Sequence, residues 1–392
     1  MNKPTDFEIE LERIDRDLAE LEESALSVPF DSQQATKFAY RLYQRASLTG
    51  DLRELALAER AINRAIRRVS NAADLYFLKA SLDFKLHRVA DARRHLSMVE
   101  GLRESLQGRA LEADLDFQEG RYKKARKEYE DIIREERTWD NLARLAHFEA
   151  RMGDPASAER LYLEAEDEIT AKEMRSLAWV ELQRGLLHLM HGRYDEASTH
   201  YQRAERAYSG YWLVDEHVAE LLGAQGKYEE AVALYQKVVA RVPKPELQQA
   251  LGELCTLMDE PAQAERWFEK ALAAYLESAA QGGVHYYHHL VDFYADVRRD
   301  GREAVNWARK DVSLRENFST QAALAWALYR DGQLDEALAR INQALSSGVK
   351  DAHIFSQAAT IHRALGASDQ GDRYLQMAAE INPHHRNFHV HH

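Results

Sequence analysis

The sequence predicts an all-α protein, a solenoid built from about ten stacked pairs of helices. Two observations support this prediction: small residues recur at a nearly constant interval along most of the chain, and apolar residues follow each of them at helical spacing. A third is the scarcity of Pro (7) and Gly (18) among 392 residues, because an all-β or disordered chain would contain more of both.

The recurring position is occupied by alanine in nine cases and by glycine in the tenth. Successive copies are 34, 33, 33, 39, 34, 33, 40, 33 and 34 residues apart, so the period is 33 or 34 with two insertions. Ala or Gly also stands twelve residues earlier in nine of the ten units, and a large side chain follows four residues later in most of them. The offsets 0, +4 and +7 share one face of a helix, so each unit is interpreted as two closely packed helices. The recurring residues are Ala58, Ala92, Ala125, Ala158, Ala197, Ala231, Ala264, Ala304, Ala337 and Gly371.

Turn signals separate the two helices of each unit, and the clearest unit spans residues 213–243. This unit resembles the tetratricopeptide repeat family through Ala219, Gly226, Tyr228, Ala231, Tyr235 and Pro243. About ten such units cover residues 39–383. The resemblance implies a right-handed α-solenoid superhelix whose concave groove is lined by the first helix of each pair.

The two long intervals divide the array. The first insertion, at about 171–177, contains no helix breaker and predicts a lengthened helix, whereas Gly282-Gly283 in the second, at about 277–283, predicts a loop. A hinge at 280–284 and a longer rigid helix end remain open alternatives there. The predicted organisation is a capping helix with a linker (1–38), repeats one to four (39–170), repeats five to seven (171–280), repeats eight to ten (281–383) and a His-rich tail (384–392).

Residues 5–27 predict a separate amphipathic helix. Thr5 and Glu8 have the spacing of a capping box, and Pro29 ends the segment. A solenoid needs such a cap to cover the apolar face of its first repeat. A coiled coil or partner-binding helix, through which the chain forms a homo-oligomer, is the alternative left open. The apolar stripe consists of Phe7, Leu11, Ile14, Leu18, Leu21 and Ala25.

Composition and motifs restrict the function. A net charge of −13 disfavours nucleic acid and anionic membrane surfaces as partners. The chain has no apolar run of membrane-spanning length and no secretory leader pattern, which predicts a cytoplasmic protein. Phosphate-binding, dinucleotide-binding and hydrolase motifs are absent, so we expect neither an enzyme nor a cofactor. The single cysteine, Cys255, is interpreted as a small core residue.

Histidines suggest an alternative function, that of a metal-handling accessory protein. His285, His289, Asp292 and Asp296 follow one another at 4-3-4 spacing in the first helix of repeat eight, and imidazole and carboxylate groups are common metal ligands. Aromatic packing inside a divergent repeat is the favoured interpretation, and a flexible tail holds metal weakly. The tail histidines are His384, His385, His389, His391 and His392.

The family resemblance places positions two, five, nine, twelve and thirteen of each first helix on the concave surface. Position nine never holds the Asn used by family members that grip acidic chaperone tails, so that clamp is absent. The leading hypothesis is a non-catalytic adaptor that binds a peptide or helix of a partner protein in the groove, through aromatic clusters flanking an acidic middle. For any single aromatic residue, packing against a neighbouring helix is the alternative. The predicted partner-binding residues are Phe77, Phe84, Phe117, His147, Trp179, Glu216, Glu220, Glu253, Tyr286, His289, Phe293, Trp326, Tyr329 and Arg330.

Overall fold

The computed structural model describes residues 3–27, 32–68 and 72–390, and within these ranges it is helical with no strand. The all-α solenoid is therefore confirmed. No helix in these ranges is long and apolar enough to cross a membrane. The helices are α1 (Asp6–Ser27), α2 (Ser32–Thr49), α3 (Leu52–Ile66), α4 (Ala73–Lys85), α5 (Val89–Leu96), α6 (Leu106–Gln118), α7 (Tyr122–Glu135), α8 (Trp139–Met152), α9 (Pro155–Glu168), α10 (Met174–Met190), α11 (Tyr194–Ala207), α12 (Trp212–Ala224), α13 (Tyr228–Arg241), α14 (Pro245–Leu257), α15 (Pro261–Ala280), α16 (Tyr287–Asp292), α17 (Gly301–Leu314), α18 (Phe318–Arg330), α19 (Leu334–Leu345), α20 (Ala352–Ala364) and α21 (Ser368–Ile381).

After α1 the helices pack in consecutive pairs, from α2 with α3 to α20 with α21. Each of the ten recurring small residues lies in the second helix of a pair and is buried, as the period predicts. At the facing position of the first helix, a Cβ added to Gly252 would stand 2.5 Å from the ring of Phe268, so this approach requires glycine. How many of the pairs count as tetratricopeptide units stays a prediction.

The two insertions take different forms. The lengthened helix predicted at the first insertion is present as α10, which has 17 residues, but it begins only at Met174, and a turn separates it from α9, which ends at Glu168. The Glu173 carboxylate accepts hydrogen bonds from the backbone N–H and the hydroxyl of Thr170, which stabilises a turn instead of a helix. The predicted loop at Gly282-Gly283 is present, and α15 is also extended to 20 residues.

The first helix of repeat eight is interrupted. After α16 comes a π-helical turn, Phe293–Val297, which accommodates one extra residue per turn. Val291 and Ala295 are fully buried, while Asp292, which stands twelve residues before Ala304 where the other units have Ala or Gly, lines the interior cavity described below. The register expected from the spacing is therefore shifted at this point.

The N-terminal helix α1 begins with the predicted capping box: Glu8 accepts the N–H of Thr5, and Thr5 accepts the N–H of Glu8. Its stripe is buried against α2, as expected of a cap, and also against the end of α11, where the N–H of Phe7 donates to the carbonyl of Ser209. Pro29 and the side chain of Ala25 lie outside the described residues. The chain itself therefore covers the apolar stripe of α1. A homo-oligomer formed through α1 stays a prediction.

The array curls until its late repeats lie against its early ones. We call these the inter-turn contacts, and their hydrogen bonds join residues 164 to 199 positions apart. The Trp212 indole donates to the carbonyl of Leu48 at 3.0 Å, and the Asn317 amide donates to the carbonyl of Gln118 at 3.0 Å. Further along, the N–H of Lys350 donates to the carbonyl of Met152. The concave side is thus folded inward rather than left as an open groove.

Candidate partner-binding surface

The concave faces of the middle repeats border an interior cavity of about 550 Å³. His147 of α8 faces this space from the early repeats, and Glu216 of α12 and Asp292 of α16 line it from the late ones. Burial, with a smaller contribution from Arg151, lowers the pKa of His147 to about 4. His147, Glu216 and Asp292 are therefore brought together around one cavity.

Two buried carboxylates on the concave side, Glu253 and Glu246, have pKa values that are shifted in opposite directions. Burial raises the pKa of Glu253 to about 7, and Asp296 adds to this effect. Burial acts in the same direction on Glu246, but the ammonium group of Lys244, 2.7 Å away, outweighs it and holds the pKa at about 2. The middle of the concave side is therefore not uniformly acidic at neutral pH.

The concave face of α12 is occupied by the C-terminal segment of the chain. Glu216 and Glu220, predicted to present carboxylates to a ligand, are both buried. Glu220 accepts the backbone N–H of Val390 at 2.7 Å, and the Asn387 amide donates to the carbonyl of Ala224 at 2.8 Å. The tail predicted to be flexible is therefore docked on the chain.

Phe388 anchors this segment. Its ring is buried against α12, and a Cβ added to Gly223 would overlap it. The sequence prediction missed this contact because it considered only the histidines of the tail. The signal was the pair Phe388 and Val390, two apolar residues that alternate with histidine, opposite a glycine at position twelve of α12.

A second cluster remains accessible near the C-terminal end of the array. The rings of Trp326 and Tyr329 stack with their centroids 5.0 Å apart, and the Arg330 guanidinium lies 5.4 Å from the Trp326 ring centroid. Asp296 accepts hydrogen bonds from the Trp326 indole at 2.9 Å and from Arg330 at 2.8 Å. We call these four residues the Trp326 cluster. The structure brings together three of the predicted partner-binding residues here, each partly exposed.

The other predicted partner-binding aromatic residues, and His289, pack against side chains of the same chain. Phe293 is fully buried and Tyr286 nearly so, while His289 stacks on Tyr275. Phe117 packs edge-on against Phe318 at an inter-turn contact. Trp179 packs against Trp139, and the half-buried Phe77 and Phe84 pack on the core around α5.

The histidines weighed as metal ligands do not form the predicted set. Asp296 is paired with Arg330, and its carboxylate does not converge with His285 and His289 into a group of potential ligands. Among the described residues, one group of three potential ligands converges: Glu159, His188 and His200. The Arg184 guanidinium donates to Glu159 at 2.6 Å, so this carboxylate already has a cationic partner. His391 and His392 lie outside the described residues, and the described tail histidines form no such group.

A histidine cluster lies instead at an inter-turn contact. The ring centroid of His87, in the turn after α4, is 4.8 Å from that of His285 and 5.3 Å from that of His288. We call these three residues the His87 cluster. The Nδ1 atom of each ring is shielded from solvent and makes no hydrogen bond. Burial lowers the pKa of all three imidazoles, to about 3 for His285, and Arg315 contributes in the same direction.

Comparison with known proteins bears on the repeat. Residues 219–279 match the family model described as tetratricopeptide repeat, which confirms the resemblance. No curated protein sequence matches the chain. Similar solved structures include the APC/C hetero-tetramer Cut9-Hcn1, at 16% identity over 88% of this chain and 74% of that one, with a TM-score of 0.44. Yeast Tom70 is 12% identical over 94% of this chain and 89% of that chain, with a TM-score of 0.42. MamA is 18% identical over 43% of this chain and 96% of that chain, with a TM-score of 0.35.

Proposed function

We propose that this chain, an α-solenoid of tetratricopeptide repeats, is a non-catalytic scaffold that binds a segment of a partner protein on its concave side. The observation that carries the proposal is the Trp326 cluster. Stacked Trp and Tyr rings beside an arginine are the residue types that dominate binding energy at protein interfaces. Partly exposed and held in place by Asp296, they are preorganised, so a partner loses little side-chain entropy from this surface on binding.

The experiment compares partner capture by the wild-type protein with capture by the double variant Trp326→Ala, Tyr329→Ala. Partners retained from a native lysate are identified, and affinity for the purified partner is then measured by calorimetry. We expect at least about tenfold weaker binding, since each aromatic hot spot is worth about 2 kcal/mol. The matched control is Leu163→Ala, an exposed apolar residue on α9, the second helix of its pair, which should bind as the wild type does.

Circular dichroism should show the same helicity in all three proteins, because the Trp326 cluster lies at the surface. Retention of the partner by the double variant at wild-type affinity would contradict the assignment of binding to this cluster. Equal loss in the Leu163→Ala variant would show that the effect is not specific to the concave side.

A further inference from the structure

Residues 383–390 follow α21 and cross to the concave face of α12. Residues 383–386 form a turn, and residues 388–390 contain neither helix nor turn. The segment contacts Glu220, Gly223 and Ala224, which are positions nine, twelve and thirteen of α12. These are the positions that the family resemblance assigns to ligand binding, so the segment stands where a foreign ligand would.

Three features make this face selective. The carbonyl of Ala224 belongs to the last turn of α12, where helical carbonyls lack a partner within the helix, and the Asn387 amide satisfies it. The Glu220 carboxylate is fully buried and accepts a main-chain N–H. Glycine at 223 leaves the space that the Phe388 ring fills. The Val390 side chain also packs, partly buried, on the core that includes Phe388. Together these contacts recognise Asn, then Phe, then an aliphatic residue two positions further on.

His389 is the poorest fit in the segment. Both of its ring nitrogens are shielded from solvent, and the backbone of His384 approaches the ring without forming a well-aligned hydrogen bond. Removing an imidazole from water without replacing its hydrogen bonds is unfavourable. A segment with an apolar side chain at this position would avoid that cost and keep the other contacts.

We propose that residues 387–390 are an internal ligand of the α12 face, and that its partner is a non-helical protein segment with the pattern Asn-Phe-aliphatic-aliphatic. The inference rests on the proposed function, in that the concave side binds protein segments. While the internal ligand occupies the face no partner can bind there, so the apparent affinity is the intrinsic affinity multiplied by the fraction of time that the face is free.

The probe is a fluorescein-labelled, acetylated peptide of residues 384–392 with His389→Leu. Its affinity is measured by fluorescence anisotropy against the full-length wild-type chain and the full-length Phe388→Ala variant. We expect the variant to bind at least about tenfold more tightly, because its internal competitor is weakened. Arg386→Ala, an exposed change in the same segment, is the matched control and should behave as the wild type does.

Two further measurements test the recognition itself. Adding Gly223→Ala to the Phe388→Ala variant should reduce peptide binding at least about tenfold, since the Cβ fills the space of the ring. A peptide carrying Phe388→Ala should not bind. In the wild-type chain, excess probe should accelerate hydrogen exchange at residues 386–390, which reports displacement even if a variant folds poorly.

Equal affinity of the wild type and Phe388→Ala for the probe, or equal binding of the Phe388→Ala peptide, would overturn the inference. A dimer in light scattering that Phe388→Ala converts to a monomer would also overturn it, by assigning the docked segment to a second copy. If the probe does not bind but a partner is still captured through Trp326, the inference about the C-terminal segment is refuted and the proposed function is not. If the probe binds but no partner is captured through Trp326, the proposed function is refuted and the inference about the C-terminal segment is not.

Discussion

Lowering the pH from 7.5 to 5 should loosen the inter-turn contact at the His87 cluster. In the closed contact, burial lowers the pKa of His87, His285 and His288, and Arg315 opposes their protonation further. Glu246 acts in the other direction on His285, and His289 faces the same cluster. Once the contact opens, the imidazoles regain a pKa near 6.5 and bind protons. The stabilisation is therefore complete above about pH 6.5 and is lost as the pH falls.

The magnitude follows from His285, whose pKa in the closed contact is about 3. At pH 5 this imidazole stays neutral when closed but is protonated when open. The difference of about 1.5 pH units from its ordinary pKa corresponds to about 2 kcal/mol, or about 30-fold in the opening equilibrium. His87 and His288 shift in the same direction, so the wild-type effect should exceed that of one residue.

The assay is hydrogen exchange at the two pH values, with protection factors corrected for the intrinsic rate. Protection of residues 84–90 and 284–290 should fall at pH 5 relative to residues 118–122, an inter-turn contact without histidine. The variant His285→Gln, His288→Gln should lose much of this dependence. An identical fall at both contacts, or an unchanged fall in the variant, would refute the assignment of the pH response to the His87 cluster.

Two further predictions concern packing and burial. Gly153→Ala should destabilise the chain more than Gly226→Ala in urea unfolding. Both glycines have positive φ, so placing alanine there costs about 1–2 kcal/mol of stability at either position. Only the Cβ at 153 would also overlap an inter-turn neighbour, Lys350. Equal losses would argue against a tight inter-turn contact. Glu253→Gln should stabilise the protein at pH 8 by roughly 3 kcal/mol but not at pH 4, because the raised pKa of Glu253 makes its ionisation unfavourable above about pH 4.5. A gain that is independent of pH would contradict the shift.

Contacts between neighbours in the chain were predictable from the sequence. The burial of Ala231 between paired helices, the capping box of Thr5 and Glu8, and the core position of Cys255 all follow from patterns within one repeat. The Trp326 cluster was also predictable, because Trp326, Tyr329 and Arg330 share one face of α18 and need only Asp296 of the preceding repeat for support. Helical spacing and local turn chemistry carry this information directly.

The tertiary structure decided the long-range arrangement. The inter-turn contacts, the His87 cluster and the docking of Phe388 on Gly223 all depend on how much the array curls over some six repeats. Curvature is the sum of small rotations between neighbouring pairs, and insertions or a π-helical turn alter that sum without disturbing the repeat itself. The sequence therefore determined which residues pack within and between adjacent units, whereas only the accumulated rotation decided which distant surfaces meet.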